Sequence, residues 1–330
     1  MKKVANIVLL AVLAAGLLSC TKTDRFYGNP QEEIAMNPVM HSMTKAEVPG
    51  PVTGSQYPDA EHFGVIAYYS PSFTHSQEWT DASSVLMYLD GHEFAKEGST
   101  FSGIPKCYWP HQGSLVFAGY SPFDAIKESI TFNPDTKALT ITGFVSDGKT
   151  DLMYFLPDLS NGNLVGLNSR ATSVHAVFSH ALSLVEFNVK GVDNDVTVKL
   201  KDITFKNIPH MGTLTADASG CSWGDLSSPD DLPVFSSDDD DDDDGELSSE
   251  TPVTATSLVI PGSAVNIDLA YDVVGATSHE KTGTITPGNA VTEWVAGKKY
   301  IYNLTIRSGF IVVESVTTSY IAENESGIEI

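Results

Sequence analysis

The stretch EWVAGKKYIYNLTI, residues 293–306, decides the fold class because it carries the clearest strand pattern in the chain. Large apolar side chains occupy the even positions from Tyr300 to Ile306, and mostly polar ones occupy the odd positions between them. Successive side chains of a β-strand point to opposite faces, so the alternation predicts a strand with one buried face. Gly297 lies just before it and predicts a turn that feeds the strand.

Similar short runs, separated by turn residues, fill the chain from Phe63 onward. In the run VTVKLKDITF, residues 196–205, Val196, Val198 and Leu200 alternate, whereas Ile203 and Phe205 resume out of phase, which predicts a bulge or bend. DASSVLMYL, residues 81–89, is the one stretch that we interpret as a short helix. Many strands with almost no helix predict an all-β, antiparallel β-sandwich protein.

The turn-rich segment PDLSNGNLVGLNSR, residues 157–170, is the best domain boundary, and it predicts domains at 46–165 and 166–330. Residues 20–45 are predicted to be a tether followed by a first strand in EEIAMNPVMHSM. Pro38 interrupts this strand and favours a position at a sheet edge. The side chains expected to point inward are Ile34, Met36, Met40 and Met43. Met40 and Met43, which follow Pro38, are expected to be out of simple alternation with the first two.

The chain begins with MKKVANIVLLAVLAAGLLSC, which has the basic, apolar and small-residue regions of a secretory signal, residues 1–19. The apolar run is too short to span a membrane. Its end, Leu17-Leu18-Ser19-Cys20, resembles a bacterial lipobox, which predicts cleavage between Ser19 and Cys20 and lipidation of Cys20. Several acyl chains together anchor a protein stably to a membrane. The alternative is an ordinary signal with an incidental cysteine.

Removal of residues 1–19 leaves 311 of the 330 residues and takes away Lys2 and Lys3, so the formal charge changes from −23 to −25. So acidic a chain is not expected to bind nucleic acid through phosphate contacts. Cys107 and Cys221 then remain, and they allow one disulfide without predicting it.

The sequence contains none of the common catalytic or phosphate-binding motifs, so we expect neither an enzyme nor a cofactor. His175 and His180 are expected on opposite faces of a strand, which argues against a shared metal ion. Asp240, Asp242, Asp244 and Gly245 match half of an EF-hand loop, but Thr251 stands where a glutamate would be needed. We therefore predict no specific metal site and interpret 236–250 as a solvated acidic loop.

Aromatic residues concentrate in AYY (67–69), CYWP (107–110) and GYSP (119–122). Such residues fill the cores of β-sheet proteins, and each buries a large area. The alternative is a surface that stacks on carbohydrate. We favour the core interpretation, and a lipid-anchored, non-polymerising glycan-binding module remains the alternative function.

Five of these segments occur in an order and spacing that resemble the fimbrillin family, the pilus subunits of Bacteroidetes-type bacteria. The resemblance covers residues from about Phe63 to Ile306, and the segments are FGVIAYY, YWPHQGSLVFAGYSP, DLMYF, VFSHALSLVEFNV and EWVAGKKYIYNLTI. The residues that carry the motif are Tyr108, Trp109, Pro110, Trp294, Gly297, Tyr300 and Tyr302.

The resemblance implies two tandem transthyretin-like β-sandwich domains and a precursor anchored at the outer membrane through Cys20. It also implies that a protease removes the N-terminal segment and that a strand from another subunit fills the groove left behind. The expected partners are further copies of the chain, other fimbrial subunits, and host or bacterial surface ligands. The implied localisation is the cell surface.

Two features leave alternatives open. The family cleaves after an arginine, whereas this chain has Lys45 before Ala46, and its N-terminal arginine is Arg25. The enzyme therefore accepts lysine, or the first strand stays in place. The tail 310–330 either serves as the donor strand or closes its own domain. Its apolar groups include Val313, Val316 and Tyr320, and Ile328 and Ile330 alternate at the end.

The lipid anchor gives a direct test. Replacement of Cys20 by alanine removes the thiol that accepts the lipid, so labelled palmitate should no longer enter the protein and the precursor should stay uncleaved. The readout is radiolabel incorporation with immunoblotting of the precursor. Palmitate labelling of Cys20→Ala at the wild-type level would show that the anchor lies elsewhere.

Overall fold

The structure is a computed structural model, and it describes residues 32–40, 57–81, 84–126, 130–171, 173–192, 196–237, 245–274, 278–287, 291–307 and 310–321. Within these ranges the chain is all β, as predicted, and its single helical element is a 3-10 turn at Phe123–Ala125. No helix in the described ranges is long and apolar enough to span a membrane.

The strands of the first half are β1 Ala35–Met40, β2 Phe63–Ser70, β3 Glu78–Trp79, β4 Leu86–Glu97, β5 Thr100–Ile104, β6 Ser114–Ser121, β7 Ile130–Asn133, β8 Ala138–Val145, β9 Met153–Phe155, β10 Leu159–Ser160, β11 Asn163–Val165 and β12 Val174–His180. Those of the second half are β13 Ser183–Gly191, β14 Thr197–Asp217, β15 Gly220–Ser236, β16 Glu246–Leu247, β17 Val253–Val259, β18 Gly262–Ser263, β19 Ile267–Val274, β20 Ser278–Ile285, β21 Glu293–Trp294, β22 Lys298–Arg307 and β23 Phe310–Tyr320.

The N-terminal part is a seven-stranded sheet of order β1-β12-β9-β6-β2-β4-β5, whose two end strands also pair with each other. The sheet therefore closes around its own core, which is rich in aromatic rings. Phe63 lies near the middle, with its ring centroid 5.4 Å from Phe178 and 5.5 Å from Phe101. Closure removes the exposed sheet edges that an open sheet would present.

The second large sheet is organised on β14, a strand of 21 residues. Its order is β20-β19-β14-β8-β7, and β15 and β16 also pair with β14. The register with β19 shifts between Leu200 and Asp202, and this irregularity restores Ile203 and Phe205 to the buried face. The bulge predicted from the change of phase is thus confirmed.

The strand predicted from residues 298–306 is β22, in the middle of a four-stranded sheet of order β17-β13-β22-β23. Its even-numbered side chains from Tyr300 to Ile306 are buried against β14 and β19, which confirms the alternation. Tyr302 stacks on Phe187 at 5.4 Å, and Trp294 meets Phe205 edge-on at 5.2 Å. Offset and edge-on contacts are the favoured arrangements of aromatic pairs.

A third core joins these parts, because the far end of β14 buries Leu214 and Ala216 together with residues from the outside of the closed sheet. Sheet pairing crosses the boundary predicted at 165/166: β7 and β8 precede it yet extend the β14 sheet, whereas β12 follows it yet completes the closed sheet. The division into two tandem domains stays a prediction.

Two predictions about strands are wrong. In place of the helix expected at 81–89, the structure has the start of β4 from Leu86 onward, where Leu86 and Met87 pair with Tyr69 and Tyr68 of β2; residues 82 and 83 lie outside the described ranges. A helix of nine residues is marginal by itself, and pairing with β2 satisfies the backbone instead. The pairing is also not wholly antiparallel, since β1 runs parallel to β12 and β13 runs parallel to β22.

The sequence allows a disulfide between Cys107 and Cys221, and in the structure these two residues are not joined by one. Cys107 is fully buried inside the closed sheet, and Cys221 is half-buried near the turn between β14 and β15.

The buried face of β22 can be tested by truncation. Tyr302→Ala should lower the free energy of unfolding by about 3–5 kcal/mol, because a fully buried ring is replaced by a cavity. Ile301→Ala, on the half-buried opposite face of the same strand, should cost only about 1 kcal/mol. Urea unfolding of both variants measures the difference. Equal losses would contradict the assignment of the two faces.

Candidate functional site

The first strand is built into the closed sheet by its side chains. Ile34 and Met36 are completely buried and Met40 is 6% exposed, and all three lie in the aromatic core with Phe101 and Phe178. Burial of an aliphatic side chain of this size contributes about 1.5–3 kcal/mol. The chain therefore gains a substantial part of its N-terminal core from one short strand.

The inward residues follow a simple alternation through Pro38, which is itself buried. The expectation that Met40 is out of phase is therefore wrong, and Met43 lies outside the described residues. The Ile34 amide donates to the carbonyl of Cys107, so even-numbered amides of this strand point toward the β5 side. The β5 ladder ends at Met36, so Pro38 removes no donor from it.

The prediction of an edge strand is wrong for the first part of β1. Ala35 and Met36 pair with β5 on one side, and residues from Met36 to Met40 pair with β12 on the other. Beyond Met36, the described chain pairs β1 with β12 alone. The beginning of β1 therefore has a paired strand on both sides, whereas its end has a paired strand on one side only.

The motif residues Tyr108, Trp109 and Pro110 meet the chain just before β1. Glu33 and Tyr108 form an antiparallel bridge, and the Trp109 amide donates to the carbonyl of Glu32 at 2.9 Å. Trp109 is buried and packs edge-on against Phe117 at 5.6 Å. Tyr108 is only half-buried, so its predicted core position is wrong; its carbonyl accepts the Tyr88 hydroxyl at 2.6 Å.

Sequence reasoning missed a charged clamp beside this bridge. Lys106 Nζ lies 3.0 Å from carboxylate oxygens of both Glu33, in the N-terminal segment, and Glu97, at the end of β4. Hydrogen bonds to Glu33 and then Glu97 raise the pKa of Lys106 to about 12. The bond from Lys106 in turn lowers the pKa of Glu97. No spacing in the sequence predicts an ion pair between residues as far apart along the chain as Glu33 and Lys106.

The sign of each shift gives the pH range of the clamp. A raised lysine pKa contributes stability that is present below about pH 10 and is lost as the pH rises through about 12. A lowered glutamate pKa contributes stability that is present above about pH 4 and is lost as the pH falls further. The clamp is therefore intact throughout the neutral range.

The C-terminal strand β23 is held differently. It pairs with β22 along its whole length at the edge of the four-stranded sheet, yet none of its eleven side chains is buried. Ile311 and Val316 touch the neighbouring core from partly buried positions, whereas Phe310 and Val313 are 58% and 43% exposed. Backbone hydrogen bonds rather than side-chain burial hold this strand.

The second part of the motif supports the same edge. Gly297 has a φ of +72°, which favours glycine, and its carbonyl accepts the amide of Ile321 at the end of β23. Trp294, Tyr300 and Tyr302 are buried, as predicted. The Val295 amide donates to the Tyr300 hydroxyl, so the turn is tied to the strand that follows it.

The processing residues predicted from the sequence lie outside the described residues: Ser19, Cys20, Arg25, Lys45 and Ala46. The same holds for Asp238 to Asp244 in the acidic loop and for the tail beyond Ile321. Lys45 falls between the two described anchor points Met40 and Tyr57. The Tyr57 ring is buried in the closed sheet and its hydroxyl bonds Ser121 at 2.7 Å.

The aromatic segments do not form an exposed platform. Ala67, Trp109 and Tyr120 are buried, and Tyr68 and Tyr69 are partly buried against the cores. Within the described ranges no three His, Cys, Asp or Glu side chains group as metal ligands. His175 is exposed, whereas His180 is largely buried beside Asp151.

The chain is similar to known proteins both in sequence and in fold. The sequence profile of a family described as Fimbrillin-like matches residues 51–322. The comparison with curated proteins gives no match.

Solved structures share the fold. A candidate cell-adhesion protein from Bacteroides uniformis aligns with a TM-score of 0.53 at 17% identity, over 88% of this chain and 99% of its own. A fimbrial protein from Bacteroides vulgatus aligns with a TM-score of 0.52 at 17% identity, over 87% of this chain and 99% of its own.

The charged clamp predicts a local effect on the first strand. Lys106→Met should speed hydrogen exchange of the amides of residues 34–36, because the N-terminal segment loses its side-chain tie to β4. Lys149→Met, an exposed lysine in a loop, is the control and should leave exchange unchanged. High salt should speed exchange in the wild type but not further in Lys106→Met. Equal exchange in all three proteins would contradict the role of the clamp.

Proposed function

The chain belongs to the fimbrillin-like family, and on that premise we propose that it is a structural subunit of cell-surface fimbriae, assembled by strand exchange. The family match and the fimbrial and adhesion neighbours support a fimbrial, adhesion-type subunit at the cell surface. The observation that carries the finer proposal is β1, a short strand that supplies deeply buried side chains to a core built by the rest of the chain.

In this proposal, the precursor is exported with its signal, lipidated on Cys20 and held at the outer membrane. A protease then cuts between Lys45 and Ala46. Tyr57 keeps the following chain attached to the closed sheet, so the cut separates β1 from its covalent connection without loosening the domain. Departure of β1 leaves unpaired backbone on β12 and β5 and an apolar groove between them.

The tail suits the role of the incoming strand because β23 contributes little buried side-chain surface to its own sheet. None of the β23 side chains is buried in its own sheet, so release of Phe310–Tyr320 loses mainly the backbone pairing with β22. Ile321, just beyond β23, is buried and would also have to leave its site. In the groove it would regain backbone pairing and also bury apolar side chains.

Spacing suggests the register of the exchange. In β1 and the residue before it, Ile34, Met36 and Met40 are buried at positions i, i+2 and i+6. The tail repeats this spacing with Phe310, Val312 and Val316. Glu314 would then take the buried, inward position of Pro38, so this register places a carboxylate there, at the point where β5 pairing has ended.

A pair of cysteine substitutions tests this register. Val177 of β12 is the partner of Val39 in β1, and the proposed alignment puts Ser315 of a second subunit at the position of Val39. Neighbouring strands bring such residues within disulfide range. After protease treatment, Val177→Cys combined with Ser315→Cys should therefore form disulfides between subunits in fibres, detected by peptide mapping on non-reducing gels.

The matched control is Asn303→Cys combined with Ser315→Cys, which reports the tail in its own sheet because those residues are paired there. Its disulfide should form within the precursor and should block assembly. Efficient fibre formation by the locked protein, or by a chain ending at Ser308, would show that the tail is not the donor. A processed chain that never polymerises would favour the non-polymerising surface module.

A further inference from the structure

A cavity of about 330 Å³ lies where several parts of the fold meet. Its walls come from β9, the end of β12, the turn between β14 and β15, the turn before β22 and the end of β23. This volume is at the lower end of the range of small-molecule sites in proteins. The cavity is separate from the groove that holds β1, since the two share none of their lining residues.

His180 lines the cavity, and Asp151 lies beside it as its buried partner. The side chains of His180 and Asp151 are only 7% and 4% exposed, and His180 Nδ1 lies 2.9 Å from an Asp151 carboxylate oxygen. The carboxylate accepts a hydrogen bond from the Nδ1–H group and thereby fixes the orientation of the imidazole ring. His180 Nε2 is buried and has no hydrogen-bond partner among the described residues. A buried polar atom left in this state is costly, which indicates that another molecule satisfies it.

The other polar groups around the cavity are uncharged. Burial raises the pKa of both Tyr154 and Cys221, so they are a phenol and a thiol at neutral pH. Ser179 adds a half-buried side chain with a hydroxyl group. Among the described lining residues there is no lysine, arginine, aspartate or glutamate.

An exposed aromatic ring completes the wall. Tyr320, at the end of β23, lines the cavity while 55% of its surface remains exposed. Its neighbour Ile321 is buried and is fixed by the hydrogen bond from its amide to the Gly297 carbonyl. Lys298 Nζ lies over this ring, 5.8 Å from its centroid, so a ligand would have to pack against the opposite face.

We propose that this cavity binds a neutral, polyhydroxylated molecule of monosaccharide size, with a ligand hydroxyl bonded to His180 Nε2 and the sugar ring against Tyr320. A hydroxyl group both donates and accepts, so it pairs with Nε2 whether the imidazole is neutral or protonated. An anion or a cation would find no opposite charge among the lining residues other than the Asp–His pair itself. In the proposed assembly, release of β23 would carry Tyr320 and Ile321 away from the cavity, so the proposed site belongs to the chain before assembly.

The experiment uses the full chain and the methyl glycosides of glucose, galactose, mannose and N-acetylglucosamine, at up to about 20 mM so that millimolar affinities are detected. Saturation-transfer NMR reports binding. The rate of Cys221 alkylation, measured by peptide mapping, reports where the sugar binds, because a sugar in the cavity should slow the reaction of this thiol. At least one glycoside should bind and protect Cys221.

The variants separate recognition from folding. His180→Ala should weaken binding about tenfold, the loss expected for one hydrogen bond. Tyr320→Ser, at an exposed position that leaves the buried pair intact, should also weaken it and covers the case in which His180→Ala does not fold. His175→Ala, exposed on the same strand, is the matched control and should bind as the wild type does.

Two results would overturn the proposal. One is that none of the four glycosides binds or protects Cys221, in which case an ordered water satisfies His180 Nε2. The other is binding that both His180→Ala and Tyr320→Ser leave unchanged, which would place the sugar elsewhere on the protein.

Discussion

The pairing of β1 with β12 on one side and β5 on the other is the constraint on which the N-terminal half depends. It closes a seven-stranded sheet that would otherwise have two free edges. It also brings Ile34 and Met36 into the centre of an aromatic core. One short segment thus completes both the backbone ladder and the side-chain packing. The bridge between Glu33 and Tyr108 and the Lys106 clamp hold the start of the same segment.

The sequence predicted the parts of the fold that depend on local periodicity. Alternation in 298–306 located β22 and its buried face, and the change of phase after Leu200 located the irregularity in β14. Both succeed because the side-chain period of a strand is two residues, whatever the strand pairs with. The first strand was found in the same way, with Ile34, Met36 and Met40 assigned correctly to the interior.

The errors concern long-range pairing, which local patterns do not encode. Residues 81–89 have the local pattern of a short helix, but Leu86 and Met87 pair with β2. Pro38 is typical of an edge strand, but the chain just before it pairs with β5 on one side and with β12 on the other. Tyr108 belongs to an aromatic cluster in the sequence, yet its half-buried position follows from the bridge to Glu33. The cavity beside His180 joins five segments, so no single stretch of sequence predicts it.

The two ends of the described chain are held by opposite kinds of interaction. Beyond Met36, β1 pairs with β12 alone and buries its large side chains, whereas β23 pairs with β22 alone and buries none of its own. Backbone pairing is available at any free sheet edge, since it does not depend on side-chain identity. Burial of Ile34, Met36 and Met40, in contrast, requires a groove of matching shape. The N-terminal strand is therefore specified by its side chains, whereas β23 is held mainly by its backbone pairing with β22.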